Sequence, residues 1–287
     1  MRVRVIFRLQ NRGASVPFYH QNLLTDMLDS IVSEHTGEYH FSALKGQTRV
    51  SKGGLHYCSR RVTLVLSCIN RKDCDDMLRK IFAQKLWEVG DLRLEPEFVE
   101  LEREPELKEI VKFVCISPII LSSASSRRNL KEFLAPDNEA FTDLLYESTM
   151  NRMLHAGYID SSDLHELTKF QLIPDRRYLE KIQQEEKKFA RIYRVRQDNE
   201  EIEVRGYTFP FVLCAPLRVQ QYIMAAGFGE FCDQGFGMLD LAHSDHASRT
   251  ILYPDFLPVG QTFHINNTPE PEFLFEQSEY FTGIKSA

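Results

Sequence analysis

Basic residues alternate with apolar ones at the start of the chain, in MRVRVIFRL. This period of two predicts a strand with one buried face over Val3–Leu9. The period then lengthens: Leu23, Leu24, Met27, Leu28 and Ile31 share one face of a helix predicted over Asn22–Val32. Strands follow at Phe41–Leu44 and Leu55–Cys68, where VTLVLSC is rich in β-branched and apolar side chains. Met77, Leu78, Ile81 and Phe82 turn inward from a second helix over Asp73–Gln84, and Leu92–Leu101 reads as the next strand. Strand, helix, strands, helix, strand is the ferredoxin-like order.

A linker of charge and proline, Glu102–Glu109, precedes a second round of the same pattern. Val111–Leu121 (VKFVCISPIIL) predicts a strand and Asn138–Leu154 a long amphipathic helix, while the segment up to Pro174 yields no clear element. Phe189–Val195 and Glu203–Cys214 read as a hairpin around Asp198 and Asn199. Leu217–Ala226, entered through Pro216, is the second helix, and Gly237–Leu241 the last strand. The expected architecture is α+β: two tandem ferredoxin-like (RRM-like) domains over residues 1–104 and 105–241. Residues 242–287, with four prolines and the acidic, aromatic EPEFLFEQSEYF, are expected to form a loosely structured extension.

Composition narrows the class. The 287 residues carry a net charge of −6, which disfavours a non-specific nucleic-acid binder coated in lysine. Local basic surface remains open in two stretches: Arg49, Lys52, Arg60 and Arg61, and then Lys187, Lys188, Arg191, Arg194 and Arg196. Six scattered cysteines without CxxC spacing imply reduced, mostly buried thiols, and no apolar run approaches a membrane span. A cytoplasmic protein with no membrane partner, no cofactor and no metal is expected. His243 and His246 have metal-like spacing but no fitting Cys or Asp neighbours.

Four of the 14 glycines fall within GFGEFCDQGFG, Gly227–Gly237. Glycines let backbone N–H groups approach a phosphate. Here, however, helix precedes loop and strand follows. Dinucleotide and Walker loops require the reverse order, so that phosphate meets a helix N-terminus. A connection without a ligand and a loop lying against a polyanion both remain open from the loop alone.

Two ferredoxin-like units closed by GFGEFCDQGFGML resemble the CRISPR repeat-processing endoribonucleases, the sixth Cas family within the RAMP group. FVCISPIIL is similar to the strand that opens that family's second domain, and VPFYHQNLLTDMLDSIV to its first loop and helix. The resemblance spans roughly residues 1 to 241. It implies a metal-independent endoribonuclease that binds repeat RNA and cuts at the base of its stem-loop. The 2′-OH attacks the adjacent phosphorus and leaves a 2′,3′-cyclic phosphate, a step needing a general base, a general acid and cationic support. The family's catalytic histidine tends to follow the first helix, so His35, just past it beside Gly37, is favoured over His40, which opens a strand. Tyr39 would orient the ribose, and Lys45 and Lys52 would steady the phosphorane. Gly227, Gly229, Gly235 and Gly237, with Arg49, Arg60 and Arg61, would contact RNA. His20 is expected to cap or pack rather than stack on RNA. The implied partners are CRISPR repeat RNA (precursor crRNA), other Cas effector subunits and a second copy in a homodimer. A catalytically silent relative that only holds CRISPR RNA is the alternative.

Overall fold

In the computed structural model, residues 1–33, 36–124, 131–185, 189–197, 200–242 and 246–257 are described. The opening alternation becomes β1 (Arg2–Leu9), followed by α1 (Gln21–Asp29), β2 (Tyr39–Phe41), β3 (Arg61–Cys68), α2 (Arg71–Ala83) and β4 (Leu92–Glu102). All pairings are antiparallel, in the order β4-β1-β3-β2, the ferredoxin-like arrangement. Period two sends Val3, Val5, Phe7 and Leu9 into the core with Leu24, Leu28, Leu64, Leu66 and Leu78. Arg2, Arg4, Ile6 and Arg8 therefore face the other way, opposite Ser67, Val65, Thr63 and Arg61 on β3. Between β2 and β3 the chain makes a small sheet, in which Leu55–Tyr57 pairs with both Ser15–Val16 and Thr48–Val50.

The second unit repeats the topology: β5 (Ile110–Cys115), α3 (Phe141–His155), β6 (Gln171–Pro174), α4 (Arg176–Gln184), the hairpin β7 (Ala190–Gln197) and β8 (Glu200–Tyr207), then β9 (Phe211–Cys214), α5 (Leu217–Ala226) and β10 (Leu239–Leu241). Its sheet runs β6-β9-β5-β10 over a separate core that includes Phe113, Phe141, Phe209, Phe211, Tyr222 and Phe228. Two expectations are corrected here. The second strand of this unit is β6, not the segment at 189–195. The β7–β8 hairpin, whose tip at Asp198 and Asn199 lies outside the described residues, stands off the sheet and pairs with Ile119–Ile120. Four residues ending in proline carry too little alternation to be read, whereas eight alternating residues per strand in the hairpin read strongly. The predicted strand over Val111–Leu121 likewise breaks at Ser117-Pro118 and changes sheets.

After β10 the chain returns to the first unit. β11 (Thr250–Leu252) adds to the edge of β4 opposite Glu100–Glu102. Tyr253 and Phe256 then pack into the first core, with Phe256 against Phe82 and the Tyr253 hydroxyl donating to Asp75 at 2.7 Å. Part of the expected loose extension is thus an edge strand and core, while residues 258–287 lie outside the described part. All six cysteines are free thiols, four of them buried. Among the described residues no helix is long and apolar enough to cross a membrane.

Candidate functional site

The glycine-rich connection between α5 and β10 lies inside the molecule, at the seam between the two units. Gly227, Gly229, Gly235 and Gly237 are all buried. A Cβ on Gly235 (φ +88°) would sit 2.8 Å from Phe41 Cε2 on β2, and one on Gly237 (φ +72°) 2.2 Å from the Phe228 carbonyl oxygen. Neighbours of Gly227 and Gly229 are equally close: His40 Nδ1 at 2.8 Å and the Ile120 carbonyl oxygen at 2.6 Å. The backbone donors are spent internally. Phe228 N–H donates to Gly237 O, Glu230 N–H to Ile120 O, Gly235 N–H to Cys232 O and Gly237 N–H to Pro118 O. This corrects the expected reason for these glycines. The lost Cβ makes room for Phe41, His40 and the loop's own backbone rather than for RNA.

The loop also grips its surroundings. Gln234 exchanges two hydrogen bonds with the Arg196 backbone at 2.9 and 2.8 Å, and Phe236 meets Tyr193 edge-on at 5.2 Å, so the loop fastens the β7–β8 hairpin. From the other side comes Arg152 on α3. Its guanidinium donates to the carbonyls of Ala226 (2.6 Å), Gly227 (3.0 Å) and Gly229 (3.3 Å), and to Glu38 Oε2 (3.0 Å) on the first unit. The Tyr222 hydroxyl donates to the same Glu38 oxygen. Burial works against the Arg152 charge, but Cys232, Tyr222 and Glu38 together raise its pKa. A cation on the last carbonyls of α5 also meets the negative end of that helix. Sequence reasoning missed Arg152; the available signal was an arginine between Met150 and Met153, both inward-facing, on α3.

The histidines part company. His35 lies outside the described residues; its neighbours Ser33 and Thr36 hydrogen bond to each other beside a depression of about 360 Å³ lined by Lys72, Asp73 and Asp76 on α2. His40 is fully enclosed at 0% exposure, with neither ring nitrogen hydrogen-bonded. Burial first, then the charges of Arg2 and Arg152, hold its pKa well below the ordinary value, so it is neutral and out of reach of a substrate in this arrangement. That corrects its reading as an alternative catalyst. Pairing with Ser67 on β3 turns its side chain toward the glycine loop. His20 is buried, edge-on to Tyr57, and makes no cap bond, so it packs. His243 and the side chain of His246 lie outside the described part.

Tyr39 and the lysines are not gathered at one point. The Tyr39 hydroxyl donates to Asp29 (3.4 Å), and burial, then the Asp29 charge, push its pKa up. Tyr39 stands opposite Cys68, whereas Lys45 bridges Thr63, five residues along β3 and therefore roughly 17 Å away. Lys45 is half-buried, and burial, followed by Arg2 and Arg4, lowers its pKa to about 8. Of the first predicted basic stretch, Arg61 is held by Glu97 (2.7 and 2.8 Å) and lies over the Phe98 ring. Arg49, Lys52 and Arg60 are exposed and have no ion pair among the described residues. In the second stretch, Arg194 pairs with Glu203 and Arg196 with Asp26, while Lys187 and Lys188 lie outside the described residues.

Residues 101–241 match the family model described as CRISPR associated protein Cas6, C-terminal. No curated protein matches the chain. Among solved structures, it is similar to that of a Cas6-related gene from Pyrococcus furiosus, at 17% identity and a TM-score of 0.68, covering 85% of this chain and 99% of that one. It is also similar to a RAMP protein binding different RNA substrates (18% identity, TM-score 0.68, 85% and 100% covered) and to a Cas6 product complex (14%, 0.52, 83% and 99%). At these identities the likeness establishes the shared tandem ferredoxin-like fold.

Proposed function

Because residues 101–241 match the Cas6 C-terminal family model, we propose that this protein is a CRISPR repeat RNA-processing endoribonuclease. That match is the observation on which the reading rests. It binds precursor crRNA and cleaves at the base of the repeat stem-loop without a metal ion. The 2′-OH attacks the neighbouring phosphorus, the leaving 5′-oxygen takes a proton, and a 2′,3′-cyclic phosphate remains. His35 is the proton-transfer residue, since His40 is sealed inside the seam. Lys45 and Lys52 supply positive charge, and Tyr39, its hydroxyl on Asp29, steadies the segment that leads from the first helix toward them. Exposed Arg49 and Arg60 hold phosphates, whereas Arg61 is largely committed to Glu97.

The test is the full chain mixed with end-labelled repeat RNA in EDTA. The expected product carries a cyclic phosphate, and a 2′-deoxy nucleotide before the cut blocks reaction but not binding. His35→Ala lowers the cleavage rate by about 10²-fold with affinity retained, the scale of a lost general acid or base. A strict requirement for Mg²⁺ or Mn²⁺ would refute the mechanism. Tight binding without any product would instead assign the chain to holding CRISPR RNA in an effector complex.

A further inference from the structure

Two adjacent aromatic side chains, Phe18 and Tyr19, stand 37% and 44% exposed on the turn leading into α1. Exposed neighbouring rings offer flat apolar faces on which a partner can stack. Their setting is fixed by the small sheet beneath. Val16 pairs with Leu55, and Gly54 lies so close under this strand that an added Cβ would sit 2.0 Å from Val16 O and 3.3 Å from Pro17 Cα. The turn Ser51–Gly54, closed by Ser51 N–H donating to Gly54 O, is thereby pressed against Pro17. Lys52 lies on that same turn, two residues before Gly54, and Arg49 pairs with His56 on the adjoining strand, itself paired with Ser15. Neither Arg49 nor Lys52 has an ion pair among the described residues, in a chain whose net charge is −6. Of the nearby carboxylates, Asp26 is paired with Arg196, while Asp91 accepts from the Ser15 hydroxyl at 3.4 Å and keeps its charge. Tyr19 leans edge-on against Tyr193 of the hairpin at 6.0 Å, which holds one ring of the pair in place across the seam.

Exposed rings on one turn, with cations free of ion pairs on the turn and strand packed against it, are the elements with which proteins hold unpaired nucleotides: each base offers a π-face and each linkage a phosphate. We propose that Phe18, Tyr19, Arg49 and Lys52 form a docking site for single-stranded RNA, the unpaired segment flanking the repeat hairpin, with bases stacked on the rings and phosphates on the two cations. This rests on the RNA-processing reading and adds to it a site that reads no duplex.

The experiment uses the full chain and two probes: a fluorescent oligouridylate of about ten nucleotides, within the span of known single-strand sites, and a repeat hairpin without flanks. Phe18→Ala is expected to weaken oligouridylate binding by about tenfold, the scale of one lost stacking contact, while the hairpin affinity and melting temperature hold. Arg49→Ala should lower the dependence of log affinity on log salt by about one unit of slope. Because Tyr19 also touches Tyr193, Tyr19→Phe serves as its control and should bind like the parent chain. Unchanged oligouridylate affinity in a Phe18→Ala/Tyr19→Ala variant that melts normally overturns the proposal and leaves the rings as a protein-docking surface. A chain that binds oligouridylate yet cuts no repeat RNA defeats the nuclease reading alone. One that cuts repeat RNA and ignores oligouridylate defeats this site alone.

Discussion

Lys45 shows how position changes what a residue can do. Half-buried beside Arg2 and Arg4, it has a pKa of about 8, with burial as the main cause and Asp240 and Glu102 pulling the other way. Its ammonium is present below about 8 and lost as pH rises through that value. If its charge steadies the phosphorane, the cleavage rate should fall above pH 8, and Lys45→Arg should carry the plateau upward; rate profiles for the two proteins decide it. Stability runs the other way. The folded pKa lies below the unfolded one, so the charged lysine costs the fold most below pH 8, and the cost is relieved as pH rises from about 8 toward the ordinary lysine value of 10.5. Urea unfolding at pH 7 and 9.5 should therefore show the native chain gaining on Lys45→Met. None of this was legible in ALKGQTRV, which displays a lysine in a loop and nothing of the arginines that register brings beside it. The exposure of His40 is open in the sequence for the same reason: a strand pattern states that a side chain faces one way or the other, and only the pairing partner says which.

Among the elements, the glycine-rich loop gives the sharpest prediction. Gly235→Val places a side chain at φ +88° and against the ring of Phe41, a cost of about 1–3 kcal/mol for the backbone conformation alone. Thermal melting should fall by several degrees, and any loss of RNA affinity should track the loss of folded protein. A normally melting Gly235→Val chain that no longer binds RNA would contradict the packing seen here. The loop was legible as glycine-rich and as a helix-to-strand connection, and α5 reads with the bounds it has, Leu217–Ala226, because proline opens it and glycine closes it. What the glycines face depends on Phe41 and Ile120, more than a hundred residues away, and no local pattern records that. Gln171–Pro174 was hidden differently: its place in the sheet comes from β9 alongside, not from its own four residues.

At the scale of the whole molecule the two cores are joined by polar links of long reach: Arg152 to Glu38, Arg2 to the Leu239 carbonyl at 2.8 Å, Ser67 to the Ala225 carbonyl at 2.9 Å, and Arg196 to Asp26. Arg152→Ala leaves three carbonyls without this donor and Glu38 with only the Tyr222 hydroxyl, a loss of about 2–4 kcal/mol. Urea unfolding should move to lower denaturant and separate into two steps as the units uncouple. Arg152→Lys should rescue little, since an ammonium cannot fork to both sides. Unfolding at the parent midpoint would show that the seam does not depend on this arginine. Tandem ferredoxin-like units were legible because each repeats strong local periods, while the joint between them is written only in contacts across long separations. The return of β11 to β4 has a consequence for the chain as it is made. At synthesis rates of about 5–20 residues per second, the Glu100–Glu102 edge emerges roughly 7–30 seconds before the strand that covers it, because the entire second unit is translated in between. The first half of the protein is thus the last to be completed, and a nascent chain halted before Thr250 exposes a bare strand edge open to pairing with a neighbouring chain.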